Sequence, residues 1–149
     1  MSLYSQFQTD KHIEKDGVVL EYGKTADGRV ISIRIARAGG ANTRYTKLLE
    51  AATKPYRRQL QNDTMDSDVA ESITQKVFAQ SVVLGWENVE FPILDENGEP
   101  TGKFEDVKFT VDNCVKLFKD LPDLWMDIQN QATRAALFRQ DILEADSKN

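Results

Sequence analysis

The clearest pattern in the chain is RVISIRIAR, where Val30, Ser32 and Arg34 alternate with Ile31, Ile33 and Ile35. One face is all isoleucine and the other mostly polar, the period of two that marks a strand buried on one side. Upstream, Asp16-Gly17 is a short-turn signal between a brief predicted strand at His12–Glu14 and a stronger one at Val18–Tyr22. A second turn, Thr25-Ala26-Asp27-Gly28, leads into the isoleucine strand. These pieces predict a small N-terminal antiparallel sheet with one buried face.

After Gly39-Gly40 the period lengthens to that of a helix. Asn42 is the predicted N-cap, and Tyr45, Leu48, Leu49, Ala52, Tyr56 and Leu60 recur at helical spacing. Pro55 removes a backbone donor and clashes with the carbonyl of Ala51, so a kink or fresh start is expected there. Asp66 or Ser67 caps a second helix whose stripe is Val69, Ile73, Val77 and Leu84, widened by Phe78 and Val82. That helix is predicted to end at Gly85 as its C′ residue, with Trp86 just beyond. A β-hairpin follows around Asp95-Glu96-Asn97-Gly98. Thr110 caps a short helix over VDNCVKLFK, and Pro122 suits the first position of the last one. This last helix carries Leu124, Trp125, Ile128, Ala132, Ala135, Phe138 and Ile142 on one side, leaving Leu137 and Leu143 off the stripe. The fold class is therefore α+β in a single domain over 1–149: a small sheet, about four helices and a central hairpin. Residues 1–10 and 144–149 are expected to be flexible.

Composition narrows the function classes. At 149 residues, 40% hydrophobic and 29% charged, the chain can build a core without disulfide staples. No apolar run approaches the roughly 20 residues of a membrane helix, and MSLYSQFQTD does not read as a signal peptide, so cytosolic synthesis is expected. Cys114 is the single cysteine and cannot form an internal disulfide. The net charge of −5 hides an asymmetry. Between Arg29 and Arg58, eight basic residues face Glu50 alone, and from Gln59 onward 18 acidic residues outnumber 8 basic ones. Such a chain pairs its own halves, self-associates, or presents two surfaces of opposite sign.

The residues of catalysis do not assemble. His12 is the only histidine, and Cys114 reads as a small buried hydrophobe within a helix. The acidic turn at Asp95 misses the calcium-loop pattern, since its glycine comes at the fourth position and the sixth is Pro100. Gly39-Gly40 lacks the lysine and spacing of a phosphate loop. No catalytic, metal or cofactor residue is therefore assigned, and the chain is not expected to be an enzyme. Arg57-Arg58, with Tyr45 and Tyr56 nearby, offers a nucleic-acid contact, but the chain as a whole is acidic and an acidic protein surface is the better counterpart. Trp86→Ala is expected to cost about 3–5 kcal/mol if the ring is buried, and under about 1 kcal/mol if it lies on the surface.

The order of parts carries a resemblance. KPYRRQ (Lys54 to Gln59), LGWENV (Leu84 to Val89), Gly98, FTVDNCVKLF (Phe109 to Phe118), PDL (Pro122 to Leu124) and Phe138-Arg139 form a skeleton spanning roughly Arg37 to Arg139. It resembles the tail assembly chaperones of long-tailed, siphovirus-like bacteriophages. The resemblance implies a non-enzymatic protein of the infected host's cytoplasm. Such a protein coats the long helical tape-measure protein, helps recruit tail-tube subunits and is lost from the finished virion. Arg57, Arg58, Leu137 and Leu143 are the candidate partner-binding residues, and the apolar N-terminal residues could add to that surface. The plainer alternative is that the leucines pack internally or against a second copy. A permanent virion component, in the tail tube or the head–tail joint, and a nucleic-acid-binding accessory protein are the competing readings.

Overall fold

In the computed structural model, which describes residues 2–139, two short helices precede the sheet: α1 (Leu3–Phe7) and α2 (Lys11–Asp16). The strand predicted at His12–Glu14 is instead α2. Asp10 caps it, its carboxylate accepting from the N–H groups of His12 (2.8 Å) and Ile13 (3.2 Å). Gly17 ends it at φ +88°, so the turn signal marks a helix C-terminus. Glycine is required there twice over, because a Cβ at residue 17 would also lie 2.6 Å from the Ile35 carbonyl oxygen.

Strands β1 (Val18–Lys24) and β2 (Val30–Ile35) pair antiparallel across the predicted turn, and a third strand, β3 (Val83–Glu87), joins the other side of β2. The order is β1-β2-β3. Ile33 and Ile35 are buried on the inner face, as the alternation requires, and Trp86 pairs with Ile33 on that face. Val19, Arg34 and Gly85 form a row across the outer face.

β3 corrects the sequence reading, which continues the preceding helix to Gly85. Helix α5 (Ser67–Ser81) stops four residues earlier, and Leu84 turns outward from the supposed stripe. Gly85 is a strand residue without left-handed backbone, not a C′ cap. The reason lies in tertiary partners. Ala36 donates its N–H to the Val82 carbonyl (2.8 Å), and the Asn42 side-chain amide donates to the Ser81 carbonyl (2.9 Å). These outside donors take over carbonyls at the end of α5, and β-branched Val82-Val83 fits the sheet.

Between β2 and β3 lies a helical excursion. α3 (Thr43–Thr53) packs on α5, and at Pro55 the chain tightens into a 3-10 turn (Lys54–Tyr56) before α4 (Arg57–Gln61). Asp66 caps α5 through the N–H groups of Asp68 and Val69. Beyond β3, β4 (Glu90–Leu94) and β5 (Pro100–Asp106) form the predicted hairpin as a separate two-stranded sheet. Thr110 caps α6 (Val111–Asp120), and Pro122 opens α7 (Pro122–Thr133). α7 does not run on to Phe138, and Ile142 of the predicted stripe lies outside the described residues. The helix ends at Thr133, and a 3-10 turn (Ala135–Phe138) still buries Phe138 completely. Among the described residues the four longer helices are thus α3, α5, α6 and α7; short α4 is the fresh start expected after Pro55, while α1 and α2 are too short for periodicity to predict.

The main core lies between the sheet's inner face, α5, α6 and α7. Phe78 stacks edge-on against Trp125 (5.0 Å between centroids), and Phe118 tilts against the same indole (4.7 Å). A smaller cluster of Val89, Phe91 and Leu117 lies under the hairpin, and Trp86 and Leu124 touch both.

Candidate partner-binding surfaces

Cys114 and Asp95 have structural roles. Cys114 is buried, and burial pushes its thiol up to about 12, the wrong direction for a nucleophile. Asp95 spends one carboxylate oxygen on the N–H groups of Asn97 and Glu99, both at 2.9 Å, which closes the hairpin turn. Among the described residues no three His, Cys, Asp or Glu side chains gather as a metal site. A carboxylate does stand beside Gly40, but it belongs to the protein. Buried Glu14 accepts from Arg37 Nη1 (2.6 Å) and Thr9 Oγ1 (3.0 Å). A Cβ on residue 40 would collide with that carboxylate, which is why glycine is needed there.

Of the four partner-binding candidates, Arg57 and Arg58 share α4, and every residue of that helix is exposed. Leu60, beside them, is 49% exposed. Neither arginine makes an ion pair among the described residues. Leu137 is on a different element, half-buried against the main core, so its packing is internal. Leu143 lies outside the described residues.

Two further surfaces emerge that periodicity does not reveal. The first is α1, where Leu3 (71% exposed), Tyr4 (78%) and Phe7 (67%) stand in solvent. With Gln8, Thr9 and Lys11 they line an open groove of about 690 Å³. Phe7 also lies 5.9 Å beneath the Arg139 guanidinium. The scattered aromatics of the first ten residues are the only sequence signal for this patch. The second is the outer face of the hairpin, where Pro92, Phe104 and Leu94 are all exposed and Pro92 pairs with Phe104.

The hairpin's base is fixed by a charged hub. Arg29 donates to both carboxylate oxygens of Asp27 (3.1 and 3.0 Å), to Asp106 (2.6 Å) and to Asn88 Oδ1 (3.2 Å). Glu90 stands 3.6 Å from the same guanidinium. Hydrogen bonding to Asp106, then to Asp27, raises the arginine further above its usual range. Hydrogen bonds from Thr25, then from Arg29, hold Asp27 below the usual carboxylate range. Asn88 adopts the left-handed backbone (φ +60°) and donates Nδ2–H to the Val30 carbonyl at 2.7 Å. The indole N–H of Trp86 bonds the Val107 carbonyl at 2.8 Å. Together these contacts tie both hairpin strands to the three-stranded sheet.

No helix among the described residues is long and apolar enough to cross a membrane. A family model described as YdaY prophage protein matches residues 40–149. No match was found among curated proteins or among solved structures.

Proposed function

The chain belongs to the YdaY prophage protein family and is of phage origin, and on that premise we propose that it is a tail assembly chaperone. In this reading it acts in the cytoplasm of the infected bacterium without catalysing a reaction. It binds an amphipathic segment of the tape-measure protein, assists addition of tail-tube subunits, and leaves before the virion is complete. The observation that carries the reading is α1, where three large apolar side chains stand in solvent beside an open groove. Contiguous exposed apolar surface of this kind marks a binding site more often than isolated leucines do. The skeleton that resembles those of tail assembly chaperones, from Lys54-Pro55-Tyr56 through Phe138-Arg139, falls within the residues matched by the family. α1 lies before them, so the partner contact belongs to this chain's own N-terminal part.

Co-expression tests the proposal. A tape-measure protein from the same phage should shift from the insoluble to the soluble fraction when the two are made together. The triple variant Leu3→Ser, Tyr4→Ser, Phe7→Ser should lose that effect. Its own unfolding free energy should change by less than about 1 kcal/mol, because exposed side chains contribute little. Equal insolubility of the long protein with and without the wild-type chain would sink the idea. Abundant recovery of the chain from purified virions would favour a permanent tail component instead.

A further inference from the structure

We propose that copies of this chain associate head to tail, the hairpin of one docking on the α3–α4 face of the next. The inference is independent of the tail-assembly reading. It rests on two surfaces of one molecule that are left open, are opposite in charge and share an apolar centre.

The first surface is basic. Over α3 and α4, Arg44, Lys47, Lys54, Arg57 and Arg58 face the single acid Glu50. No residue of α3, the 3-10 turn or α4 is fully buried, and α4 is exposed along its whole length. A five-residue helix has little intrinsic stability, since helix nucleation is unfavourable. Half-buried Tyr56 and exposed Leu60 supply an apolar centre amid the charges.

The second surface is acidic. Across β4, β5 and their turn, Glu90, Asp95, Glu96, Glu99, Glu105 and Asp106 face the single base Lys103. Glu90 and Asp106 are engaged by Arg29 at the base, and Asp95 closes the turn. Glu96, Glu99 and Glu105 have no cationic partner among the described residues. Glu96 and Glu99, at the turn end, adjoin the apolar outer face, where Leu94 is 51% and Phe104 58% exposed, whereas Glu105 pairs with Phe91 on the opposite face; every residue of β5 is exposed. A hairpin so presented has its base locked by Arg29, Asn88 and Trp86, so it holds its orientation without a partner.

Within one copy the two surfaces make no ion pair among the described residues, so each is open to a neighbour. Because the patches differ, the contact is heterologous, and repeating it extends the assembly beyond two copies or closes a ring. Complementary charge at the rim sets partner choice and makes association sensitive to salt, while Leu94, Phe104 and Leu60 exclude water at the centre.

Sedimentation velocity of the full-length chain at low ionic strength tests this with two variants. Arg57→Glu with Arg58→Glu spoils the basic face and leaves the hairpin intact. Glu96→Lys with Glu99→Lys spoils the hairpin and leaves the basic face intact. The wild type should show concentration-dependent association, and each variant alone should weaken it at least about tenfold, as reversing charges in a complementary interface does. Mixing the two variants should restore association, since each supplies the surface the other lacks. Circular dichroism melts of each variant confirm folding. A wild type that stays monomeric, variants that still associate, or a folded mixture that does not pair would each overturn the proposal.

Discussion

Trp86 is half-buried rather than sealed, yet it touches both apolar clusters, packs edge-on against Phe109 at 5.2 Å and bonds the Val107 carbonyl. Trp86→Ala should therefore destabilise by about 3 kcal/mol in urea melts, near the lower end for large aromatic truncations. Trp86→Phe keeps most of the packing, loses the indole N–H, and should cost about 1–2 kcal/mol. A loss under about 1 kcal/mol for the alanine variant would show that Phe91 and Phe109 close over the gap without strain. Tyr22 offers a pH test. Its hydroxyl donates to Asp127 Oδ2 at 2.6 Å, and burial, then that bond and the carboxylate's charge, raise its pKa well above the usual value. A folded-state pKa above the unfolded one gives stability that is fully present below about pH 10 and falls as pH rises past it. Tyr22→Phe should cost about 1 kcal/mol at neutral pH, and the gap from wild type should shrink above about pH 10. The buried Cys114 thiol, itself pushed up to about 12, adds an alkaline loss to both proteins, so it cancels in the difference. A gap constant to pH 11 would mean that the hydroxyl is not held by Asp127 in solution.

The elements that sequence placed well are those with local punctuation. Asp66, Thr110 and Pro122 mark helix starts, Asp95 to Gly98 closes a hairpin, and the isoleucine alternation puts the correct face of β2 inward. The failures are also physical. α2 is too short to show a period, and its capping residue Asp10 sits in a polar stretch that looks unstructured. AQSVVLGW is apolar nearly all round, so period alone cannot separate a buried helix end from a strand, and distant donors decide the matter. Asn42 combines a correct position with a missed role. It stands at the N-cap of α3 but makes no capping bond with its side chain. Its amide instead donates to the carbonyls of Arg37 (2.8 Å) and Ser81 (2.9 Å), joining the end of β2 to the end of α5. Asn42→Ala should cost about 2–3 kcal/mol by stranding buried acceptors. Asn42→Asp, an equally good N-cap residue, should not rescue it, because a carboxylate cannot donate. Recovery of wild-type stability by the aspartate variant in denaturant melts would restore the capping role.

At the scale of the whole molecule, sequence revealed the division of charge but not which charged groups remain open. Arg29 pairs with Asp106 at the surface and Arg37 with buried Glu14, whereas Arg57 and Arg58 remain unpaired among the described residues. Nor does composition show that Leu3, Tyr4 and Phe7 stay in solvent while Leu137 packs inward, because exposure depends on the finished fold. The three-stranded sheet has a consequence in time. β1 and β2 pair as soon as Ile35 has emerged from the ribosome, but the strand that covers the other edge of β2 ends at Glu87. At about 5–20 residues per second, the roughly 50 intervening residues leave that edge bare for about 3–10 s. An uncovered strand as apolar as Val30–Ile35 is a template for pairing with other chains, and Arg34, the fifth of its six residues, is its one charge. Arg34→Val should thus lower the soluble yield during rapid expression while shifting the equilibrium stability by less than about 1 kcal/mol, measured on the soluble fraction. An unchanged yield would mean that nascent helices shield β2 before β3 arrives.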